Sequence, residues 1–183
     1  MSDSIRILAG RLLLRSVKLD DAEAMFNYRS DAIVNQYQGW IPKTISDVSD
    51  FIKNRVSPTV DITGTWYQLA ITTEDHKELI GDIGIHFFDV DKFQAEIGYT
   101  LDKNHQGKGY ATEALTAVIN YLFYELNKRR IVASVDPRNT KSIALVERLG
   151  FRKEAHFRES RFINGEWVDE LIFAILKDEW KAK

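Results

Sequence analysis

The residues best suited to chemistry lie in His105-Gln106-Gly107-Lys108-Gly109-Tyr110-Ala111-Thr112, where extended sequence gives way to a helical pattern. Two glycines and a lysine at the start of a helix suit an anion. The first helical N–H groups have no intrahelical acceptor, and the helix dipole adds partial positive charge. Gly107 and Gly109 let the backbone approach a phosphate with no Cβ in the way. Lys108 adds a mobile charge. Two other phosphate loops do not fit. The P-loop pattern is absent, and the dinucleotide fingerprint needs a third glycine where Thr112 stands. Taken alone, the stretch fits a phosphate cradle and a plain tight turn about equally.

A second constellation breaks the tie. Val135 to Phe151 places Asn139 and Ser142 at the start of the next helix. Asn139 could simply cap that helix, with Ser142 in its first turn. Alternatively, both side chains face a ligand that runs between the two helices. Each element alone is weak; their order and separation together are specific. Metal chemistry is not expected. His76, His86, His105 and His156 are scattered, with no pair at helical ligand spacing. The absence of cysteine removes disulfides, thiolate nucleophiles and cysteine zinc sites, and fits a reducing compartment.

The frame that must hold these residues is 183 residues long, 44% hydrophobic and 28% charged, with a net charge of −2. That suits a single domain over residues 1–183. No half is strongly basic, so nucleic acid is not expected as a partner. Nothing approaches the roughly 20 apolar residues of a membrane span. The N-terminus lacks the pattern of a signal peptide, so a cytoplasmic protein is expected.

The periodicity predicts a strand over 10–17, a helix over 18–31 and a helix over 44–56 capped by Ser46 or Thr44. Three strands follow, over 65–73, 78–88 and 93–101, joined by short polar connections that suggest an antiparallel meander. In the second, Leu79, Ile83, Ile85 and Phe87 share a face. In the third, Ala95, Ile97, Tyr99 and Leu101 share one face, and Gln94, Glu96, Gly98 and Thr100 the other. A long amphipathic helix is predicted over 110–126, a strand over 129–135 and a helix over 139–150. Two strands joined at Asn164-Gly165 close the chain. The fold class is α/β or α+β, built on one mixed sheet flanked by helices.

Gln106-Gly107-Lys108-Gly109-Tyr110-Ala111 matches the Gln/Arg-x-x-Gly-x-Gly/Ala pyrophosphate loop of the GNAT superfamily of N-acetyltransferases, which the chain resembles. Residues 96–115, 139–151 and 159–180 resemble that family's core strand, loop and helices and its final hairpin. The ending, and residues 34–52, resemble a branch that includes ribosomal-protein N-terminal and polyamine acetyltransferases. The resemblance implies a largely antiparallel sheet with a splayed central strand pair, and a cleft for acetyl-CoA between them. It implies that the backbone of Tyr99, Thr100 and Leu101 pairs with the pantetheine arm. The N–H groups from Gln106 through Gly107, Lys108, Gly109, Tyr110 and Ala111 to Thr112 would hold the pyrophosphate. Asn139 would bind the pantetheine region, and Ser142 would lie near the sulfur.

Many family members carry a tyrosine acid in the helix after Asn139, where Val146 stands here. The branch implies Ser142 as its substitute. A base for the amine could be Glu96, which could equally be a structural carboxylate, or Glu159, which could equally be solvated. Tyr28, Arg29, Tyr37, Trp40 and Trp66 fall where similar proteins form the acceptor pocket. Trp66 reads more readily as packing, as do Trp167 and Trp180. The acceptor divides into a protein N-terminal amine and a small amine such as a polyamine or an antibiotic. A polyamine predicts an acidic pocket, from Asp47, Asp50 and Glu96. A sensor that keeps the cleft without turnover is the competing reading. Edge strands and the final hairpin leave both a monomer and a homodimer open.

Overall fold

The computed structural model describes residues 5–73, 75, 78–163 and 165–181. Eight strands form one sheet: β1 (Arg6–Ala9), β2 (Leu12–Ser16), β3 (Thr65–Thr73), β4 (Leu79–Phe87), β5 (Gln94–Leu101), β6 (Arg130–Val135), β7 (Arg152–Ile163) and β8 (Glu166–Leu176). Their spatial order is β1-β2-β3-β4-β5-β6-β8-β7. Every neighbouring pair is antiparallel except β5 and β6, which are parallel. The helices are α1 (Ala22–Arg29), α2 (Ile45–Asn54), α3 (Tyr110–Asn120) and α4 (Thr140–Arg148).

The helices cover both faces of the sheet. On one face α3, the turn that follows it and α4 pack Leu115, Val118, Leu122, Leu145 and Val146 against Leu14, Leu69, Ile83 and Ile97. On the other, α1 and α2 form a smaller cluster of Ala22, Met25, Tyr28 and Val48. Alternation along the strands feeds both clusters, because successive side chains point to opposite faces.

Several local details differ from the periodicity. β1 was not expected; it is a four-residue edge strand whose Leu8 is exposed, so it carries no clean alternation. The stretch after Lys18 opens as a 3-10 turn over Leu19–Asp21. There the Asp21 carboxylate accepts from the Lys18 N–H at 2.7 Å and takes both nitrogens of Arg15 at 2.7 and 2.6 Å. In β4 the register slips: Ile71 pairs with Gly81, but Thr72 pairs with Leu79. The bulge turns Ile80 into the large core, and Leu79 packs instead against the α1–α2 cluster. The helix predicted to Leu126 is α-helical only to Asn120 and finishes as a π turn over Tyr121–Glu125. Adjacent Leu122 and Phe123 are both fully buried in that wider turn.

Thr44, rather than Ser46, caps α2, accepting from the Asp47 N–H at 3.1 Å. Asn164 of the final hairpin lies outside the described residues, as does His76. β7 and β8 nevertheless pair up to Ile163 and Glu166, a two-residue connection. Trp180 is buried and donates to the Asn120 Oδ1 at 2.7 Å, as packing requires. Trp167 is not buried: it is 62% exposed and meets Phe162 on the surface.

Candidate active site

The site begins where the sheet comes apart. β5 and β6 are in register only at Gln94–Arg130, Ala95–Ile131 and Glu96–Val132. Beyond that, β5 continues to Leu101 bonded to β4 alone. One edge of its backbone is therefore open, and unpaired backbone groups need partners. Side chains approach that edge. Gln106 Nε2 donates to the Leu101 carbonyl at 3.0 Å, and Gln38 Nε2 reaches the Tyr99 carbonyl at 3.4 Å. A cleft of about 2390 Å³ runs between the splayed strands, lined on one wall by Ile97 to Leu101 and on the other by Ala133 to Asp136.

The cleft leads to the start of α3. Its N-cap is Gly109 at φ 85°, with no side-chain cap. Gly107 is also left-handed, at φ 75°, and a Cβ there would meet nothing within 4 Å. The first helical bond is Glu113 N–H to the Gly109 carbonyl at 3.0 Å. The N–H groups of Tyr110, Ala111 and Thr112 thus precede any intrahelical acceptor. Gln106 differs from the rest of its loop: its N–H already meets the Lys103 carbonyl at 3.3 Å. Gly107, Gly109, Tyr110, Ala111 and Thr112 line the cleft, whereas Lys108 does not.

A clamp from β-hairpin β1–β2 holds this loop. Arg11 Nη2 donates to the Lys108 carbonyl at 3.0 Å and to Glu113 Oε2 at 2.8 Å. Arg11 Nε adds a 3.1 Å bond to Glu113 Oε2, the Arg11 N–H meets Oε1, and the guanidinium lies 4.4 Å over the Tyr110 ring. Glu113 would otherwise place a bare negative charge in the first turn beside an anion cradle. No sequence pattern links Arg11 to Glu113, which are 102 positions apart.

At the cleft floor the Asn139 Oδ1 accepts the Ser142 N–H at 3.1 Å, so Asn139 does cap α4. Both residues also line the cleft, so capping and exposure to a ligand coexist. The Tyr99 hydroxyl, from β5, donates to the Ser142 Oγ at 3.1 Å. Burial pushes the Tyr99 hydroxyl above its ordinary pKa, against the lowering effect of Ser142. Val146 is buried one turn further along α4.

The two candidate bases sit apart from this floor. Glu96 Oε2 lies 3.2 Å from His86 Nδ1, and His86 stacks on Trp66 at 4.6 Å. Glu96 is half-buried and does not line the cleft. Glu159 sits on a bulge of β7 at φ 46°, exposed, with its N–H bonded to Asp169 Oδ1 at 2.9 Å. The carboxylates that do line the cleft are Asp47, Asp50, Asp136, Asp169 and Glu170. Most are engaged. Asp47 takes the N–H groups of Lys43 and Thr44, and Glu170 meets Ser134 and, at 3.3 Å, Arg161. Burial raises the Asp136 carboxyl, but the Arg138 side chain and N–H outweigh it and hold it below the ordinary range.

Of the expected pocket residues, Arg29, Tyr37, Trp40 and Trp66 line the cleft and Tyr28 does not. Trp66, read as packing, is 38% exposed at the rim. Arg29 is buried in a bidentate pair with Asp82, both bonds 2.7 Å, and its guanidinium lies 5.6 Å from the Trp40 ring. Removing one partner of such a pair costs about 3–5 kcal/mol, because the other charge stays buried. Asp82, Gln38 and Arg11 are functional-site neighbours that periodicity cannot single out.

Known proteins share this fold. Residues 11–152 match the acetyltransferase (GNAT) domain family. The chain is 37% identical over 171 residues to the Bacillus licheniformis protein named "Uncharacterized N-acetyltransferase p20", covering 93% of this chain and 95% of that one. It is 34% identical over 118 residues, 64% of this chain and 61% of the other, to the Escherichia coli [ribosomal protein uS5]-alanine N-acetyltransferase. A GNAT-family acetyltransferase structure from Bacillus anthracis superposes with a TM-score of 0.85 at 31% identity, over 96% of this chain and 100% of that one. At 23% identity, a point mutant of the spermidine N-acetyltransferase SpeG of Vibrio cholerae shares the fold, with a TM-score of 0.76 over 92% and 95% of the two chains. The family match covers most of the chain, including the opened strand pair. The chain belongs to the GNAT acetyltransferase family and is an acyltransferase.

Proposed function

We propose that residues 1–183 act as one domain that moves an acetyl group from acetyl-CoA to a primary amine. The observation that carries this reading is the open edge of β5, which runs directly into the uncapped, glycine-lined start of α3. A strand-like pantetheine arm could bond along Tyr99 to Leu101, and the pyrophosphate could take the N–H groups from Gly107 to Thr112. Basic side chains outnumber acidic ones along the cleft, which suits an anionic donor.

The chemistry is direct attack on the thioester. An α-ammonium, with a pKa of about 8, or an alkyl ammonium, with one of about 10.4, must first lose a proton. That proton would leave to water in the cleft; Glu96, held by His86 and outside the cleft lining, would receive it only through such a water relay. Backbone N–H groups at the open edge would meet the oxyanion. Ser142 would give the departing thiolate its proton.

The acceptor is read as a protein N-terminal amine in preference to a polyamine. The uS5-alanine N-acetyltransferase supplies the precedent. The pairing of Asp136 with Arg138 and of Glu170 with Arg161 supports it, since a polycation needs carboxylates without a counter-charge. A cytoplasmic setting is part of the proposal. No described helix is long and apolar enough to cross a membrane.

The test has two stages. Acetyl-CoA should raise the melting temperature through linkage, and a panel of alanine- and serine-first peptides and spermidine should then release free thiol. No shift at saturating acetyl-CoA would sink the reading. A shift without thiol release from any amine would select a sensor.

A further inference from the structure

Ser142 sits between two partners that together decide where its proton points. Its N–H is taken by Asn139 Oδ1 at 3.1 Å, which fixes the first turn of α4. Its Oγ accepts the Tyr99 hydroxyl proton at 3.1 Å. A serine hydroxyl carries one proton and accepts through its lone pairs. With Tyr99 filling a lone pair from the floor, the serine's own proton is directed to another side. Ser142 is 9% exposed and that exposure opens on the cleft.

We propose that Tyr99 is a positioning residue for acetyl transfer: its hydroxyl aims the Ser142 O–H into the cleft and stabilises the charge that builds on Oγ as that proton leaves. The inference deepens the acetyltransferase reading and rests on Ser142 as the donor to sulfur. It also answers the valine at position 146. No hydroxyl can come from that turn of α4, so a tyrosine reaches Ser142 from β5, across the floor of the cleft.

The protons and electrons balance. The amine lone pair forms the C–N bond, and the C–S bond breaks with its electrons on sulfur. As sulfur takes the Ser142 proton, Oγ takes the proton lost by the acylated nitrogen through water, so no full alkoxide forms beside the more acidic Tyr99 phenol. Tyr99 keeps its own proton throughout, which suits a partly buried phenol packed against the core.

The experiment compares wild type, Tyr99→Phe, Ser142→Ala and the double variant, with acetyl-CoA and either an alanine-first peptide or spermidine. It reads kcat, the KM for acetyl-CoA and the melting shift with acetyl-CoA. Phenylalanine keeps the ring in the core, so the fold is retained. Tyr99→Phe should lower kcat about tenfold, the size of one hydrogen bond, with KM within about twofold and the melting shift intact. In the Ser142→Ala background the same change should cost under about twofold, because two residues acting as a unit are not additive. Normal kcat in Tyr99→Phe, losses that multiply, or a rise in KM alone would each overturn the role, with the wild-type activity left standing. Wild type that neither binds acetyl-CoA nor cleaves it with either acceptor would bring down the parent reading and this one together.

Discussion

The starts of α3 and α4 both face the cleft, and they are built in opposite ways. α4 is closed by a side chain, with Asn139 Oδ1 on the Ser142 N–H. α3 begins at a left-handed glycine with no side-chain cap. A capped terminus satisfies itself, whereas an uncapped one keeps donors for something outside the chain. The two starts therefore divide the work. α3 offers backbone charge to a large anion, and α4 offers one oriented hydroxyl to the reacting end. Arg11 sharpens the contrast, because it holds the open loop by the Lys108 carbonyl and neutralises Glu113.

The contrast breaks most completely at Gly109. Gly109→Glu puts a carboxylate at the cradle and a side chain at φ 85°, so the melting shift with acetyl-CoA should vanish. Gly109→Asn, which tolerates that backbone, should recover part of the shift. Next in size is Arg11→Ala. Losing a charge-assisted clamp should weaken acetyl-CoA binding about tenfold by titration calorimetry. Adding Glu113→Gln should restore the share due to bare charge and leave the share due to the lost tether.

Asn139→Ala tests the other side. It should cost about 1 kcal/mol of stability, about 2–4 °C in melting temperature for a domain of this size. The shift with acetyl-CoA should shrink but not vanish, since the α3 start is untouched while a contact of Asn139 with the pantetheine arm is lost. The smallest effect belongs to α2, a capped helix at the cleft's far rim. The N–H groups of Lys43 and Thr44 hold the Asp47 carboxyl below its ordinary value of 3.8, against a small effect of burial. A depressed carboxylate stabilises the fold above that value, and the contribution is lost as pH falls through the lower folded value. Asp47→Asn should therefore melt lower than wild type near neutrality and begin to converge with it below about pH 4.

Much of this molecule was legible along the chain. The alternation in 65–101 and the helical spacing of Leu115, Val118 and Leu122 gave the central elements nearly to their ends. These patterns are local and repeat, so they can be read without knowing the partner. β1 escaped because four residues at an edge carry no alternation, and Leu79 was placed on the wrong face because a bulge is a property of two strands. The loop and the asparagine cap were readable for the same reason as the helices: glycines and caps act within one turn. The exposure of Trp167 was not legible, because a hydrophobic residue does not announce which face lacks a cover.

By itself the sequence determined the elements, the open start of α3, the capped start of α4 and the family resemblance. All depend on residues within a few positions of one another. Only the tertiary structure decided that Tyr99 meets Ser142, that Arg11 meets Glu113, and that Arg29 is buried on Asp82. Those pairs are 43, 102 and 53 positions apart and are fixed by strand order and helix packing. No spacing rule reaches across such distances. The chemistry of the cleft was therefore visible in its parts, and its arrangement became visible only once the strands had separated.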